Sequence, residues 1–302
     1  MKYLIDKINC LKKEKNAIIL AHSYQNVEID LVADFVGDSL YLSQKAKETN
    51  ADIIIFAGVY FMAQTAKIIS PDKKVLLPNK KAGCLMADMI NLNQIVKFKK
   101  QYPKIPVVCY INSTAEVKSE CDICCTSSNA IQIVKSLNES KVLFVPDANL
   151  GKYVESQLNN VDVITYPGCC PVHDNVTIND IKHARSKYPQ AKLLIHPECK
   201  PEIAQLGDYI GSTSGIINYV KNSTDRQFII VTEKGVADRL QRDYLDKEFI
   251  LISDNMLCES MKLTTLDEIL YSLENETYEI TLDEDIRKRS ARCIERMLEV
   301  SE

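Results

Sequence analysis

The chain repeats itself three times, and this periodicity constrains its fold more than any other feature. AIILAHSY reaches His22-Ser23-Tyr24, IPVVCYIN carries Tyr110 and AKLLIHPE carries His196, at intervals of 88 and 86 residues. Asp34-Phe-Val-Gly-Asp-Ser39, Asp122-Ile-Cys-Cys-Thr-Ser127 and Asp208-Tyr-Ile-Gly-Ser-Thr213 follow at the same phase. Each is followed by an amphipathic stretch (LYLSQKAKET, SNAIQIVKSL, SGIINYVKNS) and then an apolar run (DIIIFAG, KVLFVPD, FIIVTEKG). A second helical stretch leads to a last run, KVLLPN, VDVITYPG or EFILISDN. A cysteine comes after each: Cys84, Cys170 and Cys258, spaced 86 and 88 residues. The unit is about 87 residues long.

Within each unit, short apolar runs alternate with helical periods, the pattern of a parallel sheet covered by helices on both faces. Runs such as DIIIF suit strands buried on both sides. The expected architecture is α/β: three homologous αβα parallel-sheet domains in pseudo-threefold symmetry around a central active-site cavity. Their expected limits are 17–104, 105–190 and 191–280, with terminal helices 2–16 and 282–301 outside the repeat. RKRSARCIERMLEV has the spacing of an amphipathic docking helix.

Composition narrows the function classes. A balance of 37 basic against 41 acidic residues leaves a net charge of −4, which argues against a broad nucleic-acid footprint. The charged N-terminal segment is unlike a secretion signal, and no long apolar run suggests a membrane span. With 11 cysteines, an odd number, the expected setting is a reducing cytoplasm where thiols bind metal, catalyse or pack.

Ligands of open parallel sheets bind beyond the carboxyl ends of the strands, where all the recurrent residues fall. A single cysteine is more often a packing residue than a ligand. One per repeat at equal phase instead places three thiolates around the axis. They suit a structural zinc with a fourth ligand, or a [4Fe–4S] cluster with one iron open, and spacing alone does not separate the two. Ser39, Ser127 and Thr213 precede helices, where hydroxyls cap backbone N–H groups and the helix start attracts anions. Three such starts around one cavity suggest a substrate with several carboxylate or phosphate groups. Gly37, Gly83, Gly168, Gly211 and Gly215 lie beside these motifs, where close backbone approach is expected. His22, His173 and His196 also fall at motif positions, whereas His183 reads as a helical surface residue. With Tyr24, Tyr110, Asn112 and Glu198 they offer groups for acid–base work. Cys121-Asp-Ile-Cys124 reads as strand core, with a redox pair as the minority alternative.

AHSYQ, ADFVGDSLYLSQKA, GVYFMAQTAKI, LLPNKKAGCLMADM, YINSTAEVKS, CCTSSNA, PGCCPVH, HPEC and GSTSGI together resemble the quinolinate synthase family of de novo NAD biosynthesis. The likeness runs from about residue 18 into the C-terminal TLDEDIRKRSARCIERML. It implies a condensation of iminoaspartate (iminosuccinate) with dihydroxyacetone phosphate, releasing phosphate and two waters to form quinolinate. It also implies a [4Fe–4S] cluster held by Cys84, Cys170 and Cys258, with one iron open as a Lewis acid. The family pattern G-x-C-x-V-H selects Cys170 over Cys169. Substrate-binding positions fall on His22, Ser39, Tyr110, Ile111, Asn112, Ser127, His196, Pro197, Glu198, Ser212 and Thr213. Proton transfer falls on Tyr24 and Glu198, with His173 as a further candidate. The instability of the imine suggests functional proximity to an aspartate-oxidising enzyme. Some relatives carry C-x-x-C-x-x-C at the third ligand. Here the segment reads Ser253-Asp-Asn-Met-Leu-Cys258, so thiol–disulfide control built on that run is not expected. The alternatives are a cluster-dependent hydroxy-acid dehydratase and a binding protein with a structural metal.

Overall fold

The computed structural model describes residues 1–301. Its first unit holds β1 (Ala17–His22), β2 (Phe35–Gly37), β3 (Ile53–Ala57) and β4 (Lys74–Leu76). The second holds β5 (Val107–Tyr110), β6 (Ile123–Cys125), β7 (Lys141–Val145) and β8 (Asp162–Thr165). The third holds β9 (Lys192–Ile195), β10 (Tyr209–Ile210), β11 (Gln227–Val231) and β12 (Glu248–Leu251). Each forms a four-stranded parallel sheet with its second strand at the edge and its first strand next to it. The orders are β2-β1-β3-β4, β6-β5-β7-β8 and β10-β9-β11-β12, so the threefold repeat is structural.

The recurring aspartate explains part of that identity. Asp34 Oδ2 accepts the Ile19 N–H at 2.7 Å, Asp122 Oδ2 that of Val107 at 2.8 Å, and Asp208 Oδ2 that of Leu193 at 2.7 Å. Each aspartate N–H in return donates to the carbonyl of the same residue. The reciprocal pair fixes the register of the edge strand against the central one in every unit. The central runs are buried as their composition implies: Ile53 to Ala57 are all inaccessible or nearly so.

The helix closing each unit covers the next one. Helix Leu92–Gln101 reaches the second unit, where Lys99 Nζ donates to the Glu120 carbonyl and Phe98 meets Tyr166 edge-on. Helix Ile178–Lys187 packs Ile181 and Ala184 on Leu193, Ile195, Ile229 and Val231 of the third. Helix Leu266–Asn275 returns to the first, burying Leu266, Ile269 and Leu273 with Ile19, Ile53 and Ile55. This exchange closes the units into a ring.

Helix Lys2–Glu14 shares that face of the first sheet, with Ile8 fully buried. The C-terminal helix Glu284–Ser301 docks through Cys293, Ile294, Met297 and Leu298. Among the described residues, no helix is long and apolar enough to cross a membrane. His183 is exposed on its helix, as its sequence pattern suggests. Cys124 and Cys125 are buried in β6 and Cys121 lies just before it, while Cys124 Sγ is 3.2 Å from Cys293 Sγ.

Candidate active site

The carboxyl ends of the three sheets converge on a cavity of about 370 Å³. Its wall includes His22, Tyr24, Ser39 and Cys84 from the first unit. Tyr110, Asn112, Ser127, Cys170 and His173 come from the second, and His196, Glu198, Thr213 and Cys258 from the third. Ile111, Pro197 and Ser212 are buried and do not line it. Ile111 donates its backbone N–H to the Cys125 carbonyl instead.

The helix starts are organised one residue earlier than the sequence suggested. Asp38 caps helix Ser39–Glu48 by accepting the Tyr41 N–H, and Ser212 caps helix Thr213–Asn222 by accepting that of Gly215. In the second unit the helix begins at Ala130, and Ser127 lies in the preceding turn. Ser39 and Thr213 therefore do not serve as caps, because the neighbouring acceptor already does. The glycines meet the expectation of close approach at Gly37, Gly168, Gly211 and Gly215, and depart from it at Gly83. None has a positive φ. At Gly168 a Cβ would come within 2.6 Å of the Pro146 carbonyl, so Gly168 is needed for the chain's own packing. At Gly83 the same atom would meet nothing nearer than 3.9 Å.

A chain of polar contacts crosses the cavity wall through all three units. Tyr24 Oη lies 3.1 Å from Thr232 Oγ1 and accepts from Thr213 Oγ1 at 3.1 Å. Thr232 Oγ1 is 3.1 Å from His173 Nε2, and His173 Nδ1 is 2.8 Å from Glu198 Oε2. Tyr110 Oη donates to Glu198 Oε1 at 2.5 Å. The ring of His196 stacks on that of His173 with centroids 4.7 Å apart.

Burial alone would push the Glu198 carboxyl up. His173, His196 and the Tyr110 hydroxyl outweigh it and bring the pKa down to about 2, so Glu198 is an anion. Burial, reinforced by the Glu198 charge, raises Tyr24 and Tyr110 well above the usual phenol range. Both are held as proton donors. Burial lowers His22 to about 4, against the pull of Asp38, and His196 to about 3, against that of Glu198.

These histidines give stability a pH dependence. Between about pH 6.5 and 4 the unfolded chain takes up protons that native His22 and His196 refuse. Unfolding free energy therefore drops with acidification, by at most about 1.4 kcal/mol per pH unit for each histidine. Buried Asp147 and Glu233, whose carboxyls burial raises, act in the opposite direction, so the histidine share is read by difference. The urea midpoint of metal-free protein should fall less between pH 7 and pH 5 in His22→Gln than in the wild type, and an equal change in both would contradict a neutral, buried His22.

Cys84, Cys170 and Cys258 are free and half-buried. Burial raises all three thiols, Cys84 to about 12. Cys258 raises Cys84 further, and Cys84 does the same to Cys170, so their charges are mutually felt. In each unit the backbone N–H three residues on, from Ala87, His173 or Met261, favours the thiolate. The tightest mixed donor group is different: a sulfur of Cys170, a ring nitrogen of His173 and a carboxylate oxygen of Glu198 lie within 4.8 Å of one another. Cys169 is outside the cavity lining, and its N–H points to Met89 Sδ at 3.4 Å.

Several supporting residues carried no signal strong enough to be singled out from the sequence. Glu233, with no exposed side chain, pairs with Lys262 at 2.9 Å and accepts the Cys258 N–H at 3.3 Å. Lys262 Nζ also donates to the Tyr24 carbonyl at 2.5 Å, tying the third cysteine's turn to that of Tyr24. Arg239 grips the same turn, with Nη1 at 2.7 Å from both the Ser23 and Gln25 carbonyls, while Nε and Nη2 clasp Asp30. Asp38 and Thr232 complete the set. Only Asp38 and Glu233 had a trace in the repeat, at the phases of Ser212 and Asp147.

Residues 6–299 match the family model described as quinolinate synthetase A protein. The chain is 50% identical over 297 residues to the quinolinate synthase of Alkaliphilus metalliredigens, covering 98% of each chain. It is 46% identical over 298 residues to that of Clostridium kluyveri, covering 99% of this chain and 98% of the relative. The Clostridioides difficile quinolinate synthase is 45% identical over 301 residues, covering 100% of this chain and 99% of the relative.

Proposed function

The chain belongs to the quinolinate synthetase A family of enzymes, and from that premise we propose that it condenses iminoaspartate with dihydroxyacetone phosphate to give quinolinate, phosphate and two waters. The observation that carries the proposal is the convergence of three hydroxyl-bearing turns, three thiols and the Tyr24–Glu198 relay on one cavity.

Each group has a task in that reaction. The N-terminal ends of helices Ser39–Glu48 and Thr213–Asn222, with the turn at Ser127, offer N–H and hydroxyl donors to phosphate and carboxylate oxygens. His22, Asn112 and His196 extend the polar wall beside them. Loss of two waters and closure of the ring require protons to be moved at carbon, nitrogen and oxygen. Tyr24 and Tyr110 are the donors. His173 is held by Glu198 at Nδ1, which fixes its tautomer and leaves Nε2 facing Thr232 and, beyond it, Tyr24. Protons can pass along this line without entering bulk water.

The donor chemistry fits a [4Fe–4S] cluster held by Cys84, Cys170 and Cys258. One thiol comes from each unit, each is favoured as thiolate by an N–H at the same position, and all face the same cavity. When bound, such a cluster supplies an iron free of protein ligands as a Lewis acid. The mixed group Cys170, His173 and Glu198 favours a second reading, a single zinc-like ion. That reading leaves Cys84 and Cys258 without a role and removes His173 and Glu198 from proton transfer.

Anaerobic reconstitution with iron and sulfide, followed by supply of both substrates, tests the proposal. Quinolinate should accumulate with stoichiometric phosphate. An intact cluster with no quinolinate would favour a hydroxy-acid dehydratase. Stoichiometric zinc without labile sulfide would favour the mixed site. Because the imine hydrolyses readily, an aspartate-oxidising enzyme in functional proximity is the expected source, and co-elution or cross-linking tests it, a clean negative leaving diffusion as sufficient.

A further inference from the structure

The three hydroxyl-bearing turns belong to three different units, yet a rigid site requires them to share one frame. The repeat gives the position before each hydroxyl as Asp38, Thr126 and Ser212, so only the first unit places a carboxylate there. Asp38 is 8% exposed. Its Oδ1 accepts the Tyr41 N–H at 3.0 Å, capping its own helix. Its Oδ2 accepts from Ser128 Oγ of the second unit at 2.7 Å and from Ser214 Oγ of the third at 2.6 Å. Ser39, Ser127 and Thr213 are the chain neighbours of Asp38, Ser128 and Ser214 respectively. One carboxylate thus fastens all three turns next to their cavity-facing hydroxyls.

We propose that Asp38 is the positioning residue that assembles the site for the phosphate-bearing substrate from the three units, an inference that rests on the proposed reaction. A carboxylate lining an anion site is otherwise costly, because it repels the ligand. Here the charge is partly spent on two hydroxyl donors and a backbone N–H, which weakens the repulsion and orients the donors. Ser128 and Ser214 give their protons to Asp38, so they act as struts. Ser39 and Ser127 keep theirs for the ligand, while Thr213 donates to Tyr24 Oη and ties the third turn to the proton relay. Charge-assisted hydrogen bonds of this kind make the arrangement stiff, and stiffness reduces the entropy lost when the ligand binds.

The test is kinetic and uses the reconstituted enzyme, with wild-type quinolinate formation established first. That control fails only if the reaction itself is misassigned. Asp38→Ala should raise KM for dihydroxyacetone phosphate at least about tenfold, the effect of losing one or two charge-assisted bonds. KM for iminoaspartate and kcat should move by less, and the inhibition constant of inorganic phosphate should rise with the triose KM. Asp38→Asn keeps the cap through its one amide oxygen and turns Nδ2 toward Ser128 and Ser214, which then accept, so it should restore part of the loss. Ser128→Ala and Ser214→Ala should each reproduce part of it, and neither should worsen Asp38→Ala when combined with it. Should Asp38→Ala fail to fold, the two serine variants carry the test. A fall in thermal midpoint with unchanged KM and phosphate inhibition would overturn the proposal, as would additive effects of the serine changes on Asp38→Ala.

Discussion

Glu198→Gln is expected to lower kcat by about a hundredfold to ten-thousandfold, the range for loss of a positioned acid–base group. Glutamine matches glutamate in shape and can still accept from Tyr110 Oη. Its amide, however, presents N–H to His173 Nδ1 where the carboxylate presented an acceptor at 2.8 Å. His173 must then change tautomer, so Nε2 faces Thr232 with the opposite polarity and the relay to Tyr24 reverses. Removing the anion also withdraws the charge that raises Tyr24 and Tyr110. KM values should change far less than kcat. Steady-state kinetics at matched iron content is the check, and unchanged turnover would reduce Glu198 to a packing role.

The second large effect separates two adjacent cysteines. Cys170→Ser should lose most of its iron on anaerobic reconstitution, and its activity with it, whereas Cys169→Ser should keep both. Cys170 faces the cavity, starts the turn Pro171–Asp174, and lies 3.3 Å from His173 Nδ1. Cys169 stands aside, its N–H directed at Met89 Sδ. A serine at 170 keeps the turn but offers a hydroxyl that does not ionise near neutral pH, and thiolate character is what iron requires. Iron and sulfide analysis of the two variants distinguishes them. The reverse outcome would exchange the ligand assignment.

The strands and their succession along the chain were legible because the repeat displays each element three times, at spacings that insertions hardly disturb; their order within each sheet was not. Asp34, Asp122 and Asp208 recur for a reason now visible, since each locks an edge strand to its neighbour. The exchange of closing helices was not legible. Leu266, Ile269 and Leu273 show an apolar stripe, and nothing in a stripe says whose sheet it covers. The caps were misplaced by one residue because Asp38-Ser39 and Ser212-Thr213 each offer two adjacent side chains able to cap. Only the turn geometry selects the first of each pair.

Within the cavity, the thiols, the hydroxyl-bearing turns and the strand-end His22, Tyr110 and His196 came from phase and the remaining positions from the motifs and the family resemblance, and phase is blind to residues that occur once. Thr232, Lys262 and Arg239 act through contacts spanning more than fifty residues of chain, with no counterpart in the other units to announce them. They are also where the pseudo-symmetry is broken. Three equal units would build a symmetric cavity. The proposed condensation of two unlike molecules needs unequal walls, and these residues supply the inequality around Tyr24.

The proposed reaction joins two carbon skeletons in one cavity. Reconstituted enzyme supplied with iminoaspartate and fully carbon-13-labelled dihydroxyacetone phosphate tests it most directly, by mass analysis of the product. The expected product is quinolinate that carries every triose carbon, released together with one phosphate per ring formed. Phosphate release or substrate dehydration without labelled quinolinate, from enzyme with its cluster intact, would contradict it.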